Sequence, residues 1–316
     1  MAVTRSAILA VLALTAAAAA ASPARAAKPT APPPAPDPQI LYDATSGRNT
    51  GIWEMNADGT NVTFVFAGGD SGTWSPDGTR MALNWNNPEL GLGNTYRIDA
   101  DGTDPVLLDP DGAGRSSWSP APAGSPTHDL VAYHSYTDNS LMVTSVTGGA
   151  PQLVLQGDRG GTPYCDYEMP EWSPDGDVLV VGAWCKAGVW PGYNALIVAP
   201  PLAPQDRYVL LANVSAWRPS WARQHDWLAV TASVGGVYGT YVLQLTRDLS
   251  SGRYAVASGP TLIAQGAKNA VWSPDDTKLV YEAPLPKNRG TGLFTHVLAT
   301  GARTLVGSGA NPDWRR

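Results

Sequence analysis

Histidine, cysteine, phenylalanine and clustered positive charge are what this chain has least of, and the shortages of histidine and of clustered positive charge each argue against a class of function. The four histidines are His128, His134, His225 and His296. No two of them stand at a ligand-like spacing such as His-x-x-x-His, so scattered surface and strand positions are expected rather than a metal centre. The same shortage bears on Gly69-Asp70-Ser71-Gly72, a run that matches the surroundings of the nucleophile in chymotrypsin-like proteases. In those enzymes the histidine base precedes the serine. Here no histidine precedes residue 128, so Ser71 is read as part of a Gly-rich connection. No Gly-x-Ser-x-Gly pentapeptide marks a hydrolase domain either. Lysine and arginine number 21 against 27 acidic residues and form no cluster, which argues against a nucleic-acid partner.

Long apolar runs are also missing, with one exception at the start. Arg5, the apolar stretch 7–21 and Ala24-Arg25-Ala26 make an export signal with small residues at both positions of a cleavage site. The run is too short to span a bilayer. Residues 1–26 are therefore expected to be removed, and loss of Arg5 and Arg25 takes the formal net charge from −6 to −8. Residues 27–38, ending "KPTAPPPAPDP", read as a stiff solvated leader. The mature protein is expected in the periplasm or outside the cell, as a monomer that does not span the membrane.

What is abundant is tryptophan and tyrosine, 12 of each, with 33 glycines and 28 prolines. That composition suits many short strands and tight turns and few helices. A repeat organises it. "TWSPDGTRMALNW", "EWSPDGDVLVVGAW" and "VWSPDDTKLVYEA" share a tryptophan, a polar turn and an alternating strand, and three weaker copies follow the same plan. The aligned residues are Trp74, Trp118, Trp172, Trp221, Trp272 and Trp314, spaced 44, 54, 49, 51 and 42 apart. Each interval holds four strands, the size of one propeller blade. Proline presets one turn dihedral, aspartate tolerates the next position and glycine takes positive φ, so Trp-Ser-Pro-Asp-Gly closes a hairpin.

The prediction is an all-β, six-bladed β-propeller over residues 39–316. The segment 40–66 supplies the second to fourth strands of a blade and lacks its first, while Asn311–Arg316 supply only a first strand. The two ends are expected to pair and close the ring, which buries sheet edges. With their "MNADGTN" and "IDADGTD" companions, these hairpins resemble the TolB-type, WD40-like β-propeller repeats across the mature chain. That resemblance implies an exported binding protein. TolB itself carries a further α/β domain ahead of its blades, for which the leader leaves no room, so its envelope role is not carried over.

Cys165 and Cys185 are the only cysteines. They flank the Ser173–Gly176 turn, and pairing the hairpin arms about that turn sets residue 165 opposite 184 or 185. A disulfide fits the geometry and an oxidising compartment; two free catalytic thiols are the alternative. Asp99, Asp101 and Asp104 open like a calcium loop but lack its final glutamate. A structural turn is the stronger reading, with a structural Ca²⁺ as the alternative, and no other cofactor is expected.

In a propeller the interblade connections and the loops between second and third strands open on one face, around the channel mouth. Here they are long and aromatic. Trp85, Tyr136, Tyr164, Tyr167, Trp184, Trp190, Tyr193 and Trp217, with Asn86, Asn87, Arg115, Asp138, Arg159 and Arg218, are expected to ring one cavity. Aromatic platforms with amides and guanidiniums suit a sugar or a peptide segment. A non-catalytic binding role is expected, with a protein or a cell-envelope polysaccharide as ligand. The alternative is a polysaccharide lyase or hydrolase using Asp138, Glu168 and Tyr167.

Overall fold

In three of the repeats the turn after the first strand has side chains that do the work of backbone. In the computed structural model, which describes residues 39–86, 94–158, 165–186, 191 and 194–315, Ser75 Oγ donates to Asp77 Oδ1 at 2.6 Å and accepts from Arg80 N at 2.9 Å. Ser173 with Asp175 and Val178, and Ser273 with Asp275 and Lys278, repeat this pattern. Gly78 and Gly176 close their turns at φ 66° and 72°. Blade 6 has Asp276 there instead, at φ 55°. Its carboxylate accepts the backbone N–H of Arg223 at 2.8 Å and of Gln224 at 2.6 Å, so the left-handed residue also caps the turn of the preceding blade.

Six four-stranded antiparallel sheets result. Blade 1 joins Ala310–Trp314 to Gln39–Ser46, Asn49–Asn56 and Thr63–Ala67. Blades 2 to 6 follow in chain order, and their first strands are Gly69–Trp74, Gly112–Trp118, Cys165–Trp172, Ser215–Trp221 and Lys268–Trp272. Among the described residues the only helical pieces are the two short 3₁₀ turns Pro204–Asp206 and Pro286–Asn288. No helix among them is long and apolar enough to cross a membrane. The ring closes as expected: Ile40 lies opposite Trp314 and Leu41 opposite Asp313, and Arg315 N donates to Gln39 O at 2.7 Å.

The core is a set of six layers between neighbouring blades rather than one central mass. The six repeat tryptophans are all buried in those layers. Trp172 Nε1 reaches back to Ser117 O at 3.1 Å, and Trp272 Nε1 to Ser220 O at 3.0 Å, so each of these two indoles stitches its blade to the one before. Trp→Ala at such a site costs about 3–5 kcal/mol.

One local expectation is corrected and another is met. Gly69-Asp70-Ser71-Gly72 is not a connection but part of the first strand of blade 2. Ser71 takes φ 55° and its N–H donates to both carboxylate oxygens of Asp43, at 3.0 and 2.9 Å. Cys165 lies directly opposite Cys185, with Cα atoms 4.2 Å apart, and the two are bonded.

Candidate functional site

The first strands line the channel, and all six carry the same irregularity. Each pairs out of register with its neighbour at the same level. Three residues before the tryptophan, Ser71, Met169, Arg218, Asn269 and Asn311 adopt φ between 49° and 58°, and blade 3 has Gly114 one position earlier. Such bulges re-aim side chains. Here they turn polar groups towards the ring axis, as the bonds between non-adjacent blades require. Arg115 of blade 3 donates to Pro312 O at 3.1 Å and Asp313 Oδ1 at 2.5 Å in blade 1. Arg218 of blade 5 donates to Asn311 Oδ1, also in blade 1.

The Asn311-Pro312-Asp313 segment of the closing strand is therefore a hub. Asn311 N donates to Glu282 Oε1 at 2.7 Å, and its Nδ2 donates to Asp43 Oδ2 at 2.6 Å. Asp313 Oδ2 accepts Trp74 N at 2.8 Å. Asn269 Nδ2 donates to Glu282 at 2.5 Å, and Lys268 Nζ stands 3.3 Å from the same carboxylate. Burial pushes the Asp43 carboxyl up to about 7, against the hydrogen bonds from Ser71 and Asn311. Burial first, then the charge of Arg115, draws Arg218 down to about 9.

Above this hub, on the loop face, three rings form a row. Trp184 and Trp217 have centroids 5.8 Å apart, and Trp217 and Tyr238 5.6 Å. Gly182 makes the row possible: a Cβ there would stand 2.7 Å from Ala216 O, so its absence lets blade 4 close on blade 5. The two tryptophans are half-buried and Tyr238 is exposed. Beside the row, Asp166 lies opposite Trp184 across the hairpin and 3.3 Å from His134 Nε2. Glu168 neighbours this pair, and burial, then the charge of Asp166, raises its carboxyl.

Of the residues expected at the mouth, Trp184 and Trp217 meet. Tyr136 is exposed at its rim, its N–H donating to Asp111 O at 2.8 Å. Trp85 packs between Phe66 and Tyr96, 5.0 Å from each, and Asn86 follows it, exposed. Arg115 and Arg218 lie down the channel in the hub, not among the loops. Tyr167 is buried in the layer between blades 3 and 4. Asp138 is a half-buried cap for Ser140 N and Gln156 Nε2, each at 3.1 Å. Burial works against it, yet hydrogen bonds from Ser140, Ser135 and Gln156 hold its carboxyl low. Tyr164, Trp190, Tyr193, Asn87 and Arg159 lie outside the described residues.

Sequence reasoning missed Tyr238, which follows the tight turn Gly235-Gly236, and it missed the pairing of His134 with Asp166. The signal for Tyr238 was the Gly235-Gly236 turn, which sets Tyr238 opposite Ser233 across the hairpin.

The aspartates of the calcium-like turn have other partners. Asp101 accepts Thr103 N at 3.0 Å and Thr103 Oγ1 at 2.6 Å, as Asp58 does with Thr60. Asp99 and Asp104 flank Arg97 at 3.7 and 3.5 Å.

The opposite face is built from the repeat turns. A cavity of about 240 Å³ opens there between Pro76, Pro120, Pro174, Trp172, Trp221 and Arg223. A second, of about 460 Å³, continues past Pro174 and Arg223 beneath the long hairpin of blade 5, where Arg247 pairs with Asp175 and Asp177.

No protein-family model and no curated protein matches the sequence. Solved structures do match in shape. A structure assigned to TolB of Agrobacterium tumefaciens aligns with TM-score 0.55 at 15% identity, over 87% of this chain and 92% of that one. TolB of Acinetobacter baumannii aligns with TM-score 0.62 at 15% identity, over 88% of this chain and 66% of that one. A chain of a nidogen/laminin complex gives 0.56 at 10% identity, covering 88% and 98%. At these identities the likeness is one of fold: this chain is a TolB-like six-bladed propeller.

Proposed function

We propose that the protein is an exported binding propeller, without chemistry of its own, that takes a protein or a cell-envelope glycan on its loop face. The observation that supports this most is the Trp184–Trp217–Tyr238 row, three neighbouring rings from two blades at the mouth of a channel. Flat aromatic surfaces with little side-chain entropy to lose are the usual anchors of recognition. Export rests on the signal read at residues 1–26 and on the Cys165–Cys185 bond, which suits an oxidising compartment.

Affinity capture from envelope extract tests the reading. Trp217→Ala with Tyr238→Ala is expected to weaken capture by about 1–3 kcal/mol per residue while leaving melting unchanged. Full capture by the double variant refutes a site on this row.

A second reading draws on the cluster of His134, Asp166 and Glu168 beside the row. Glu168 has the raised carboxyl that a proton donor needs, which favours a polysaccharide lyase or hydrolase as the alternative. New chain ends released from envelope glycan by wild type, and lost in Glu168→Gln, favour it over binding alone.

A further inference from the structure

The second turn-face cavity, of about 460 Å³, is of the size that holds small molecules, roughly 300–1,000 Å³. Tyr254 lines it and is itself 5% exposed. Its ring packs edge-on against Trp221 at 4.7 Å, Arg247 lies 5.2 Å over its centroid, and its N–H donates to Tyr208 Oη at 2.6 Å. These contacts fix the ring and leave its hydroxyl without a hydrogen-bond partner among the described residues. A buried side chain with an idle hydroxyl at the wall of a cavity is rare unless something completes it. Burial first, then the charge of Asp175, raises that hydroxyl; Asp226 and Asp177 act in the same sense, against Arg247.

The charge at this wall does not cancel. Arg247 is shared by Asp175 and Asp177, His225 Nδ1 stands 3.0 Å from Asp276, and the Asp226 carboxylate has no partner among the described residues. Arg223, the remaining cation of the lining, also lines the neighbouring cavity with Glu171. Four aspartates therefore stand against two guanidiniums and one imidazole. Among the described residues no three His, Cys, Asp or Glu side chains gather to hold a metal ion. An –NH₃⁺ group carries three donors and no acceptor, which matches a phenol oxygen beside carboxylates, and Pro174 offers a short alkyl chain an apolar wall. We propose that this cavity binds a small primary alkylammonium ion, its nitrogen on Tyr254 Oη and the Asp226 carboxylate. Such an ion is too small to cover Leu249, which stands 93% exposed at the hairpin tip. The site is independent of any ligand at the aromatic row on the other face.

Melting of the mature protein at constant ionic strength, in ethylammonium, tetramethylammonium or sodium chloride, tests it. A cation that binds the folded state stabilises it by mass action, and tetramethylammonium has the charge without the N–H donors. The expected result is a saturable rise in melting temperature in ethylammonium alone, lost in Tyr254→Phe and in Asp226→Asn. The rise is expected to persist in Asp129→Asn, which neutralises an exposed carboxylate on the turn of blade 3. Tyr254→Phe removes only the idle hydroxyl and is expected to melt like wild type in sodium chloride. Saturation-transfer NMR on the ethyl protons reads the same binding without unfolding, with a signal expected in wild type and lost in both variants. No rise in ethylammonium together with no saturation transfer, or a response that survives both substitutions, overturns the proposal.

Discussion

At the scale of residues, Asp43 makes the clearest pH prediction. Its carboxyl sits at 3.8 in the unfolded chain and at about 7 in the folded one, raised mainly by burial. The folded state therefore holds the proton more tightly, and this contribution is complete below about pH 4 and lost as pH rises through 7. The shift is worth about 4 kcal/mol at most. Because other carboxylates titrate in the same range, the useful quantity is the difference between wild type and Asp43→Asn. Between pH 4 and pH 8 that difference is expected to move by up to about 4 kcal/mol in favour of the variant, measured by urea denaturation. A difference that stays flat with pH means that Asp43 titrates normally in the fold. Gly182 offers a second residue-scale test: Gly182→Val sets a side chain against Ala216 O and is expected to part Trp184 from Trp217, read as a change in tryptophan fluorescence.

At the scale of elements, the closing strand and the blade 4 hairpin carry the account. Ala310–Trp314 supplies the first strand of blade 1 and the hub to which blades 2, 3, 5 and 6 bond. Removing residues 310–316 is expected to lower the melting temperature far more than seven terminal residues ordinarily do; unchanged melting contradicts closure through this strand. The hairpin bearing Cys165 and Cys185 is expected to yield one disulfide-linked peptide from unreduced protein, and to lose about 3 kcal/mol when both become serine. Alkylation of both thiols without reduction rules the bond out. These elements were legible in the sequence because their causes are local. Ser, Pro, Asp and Gly dictate a turn within five residues, and the turn then fixes which hairpin positions face each other. The hub was not legible. Arg115 and Asp313 stand 198 residues apart, and the bulge residues Ser71, Met169, Arg218, Asn269 and Asn311 share no chemistry that marks them. Arg115 and Arg218 are expected among the mouth loops, whereas the left-handed backbone at residue 218 and at Gly114 directs them down the channel.

At the scale of the whole molecule, six blades hold a polar hub on the axis, a row of aromatic rings on one face and a turn-built groove on the other. Each blade turns its first strand, the inner edge of its sheet, to the channel, where the hub occupies it, and in the proposed binding reading a rigid scaffold of this kind positions loop residues without spending chain entropy on them. The mature chain is expected to begin at Ala27, which intact mass of exported protein checks. The central claim is that a ligand settles on the loop face. Hydroxyl-radical footprinting of the mature protein, with and without envelope extract, tests this most directly. The account predicts that Trp217 and Tyr238 lose modification in the presence of extract while Leu249, exposed on the turn face, stays equally modified. Protection of Leu249 with Trp217 and Tyr238 unchanged contradicts it.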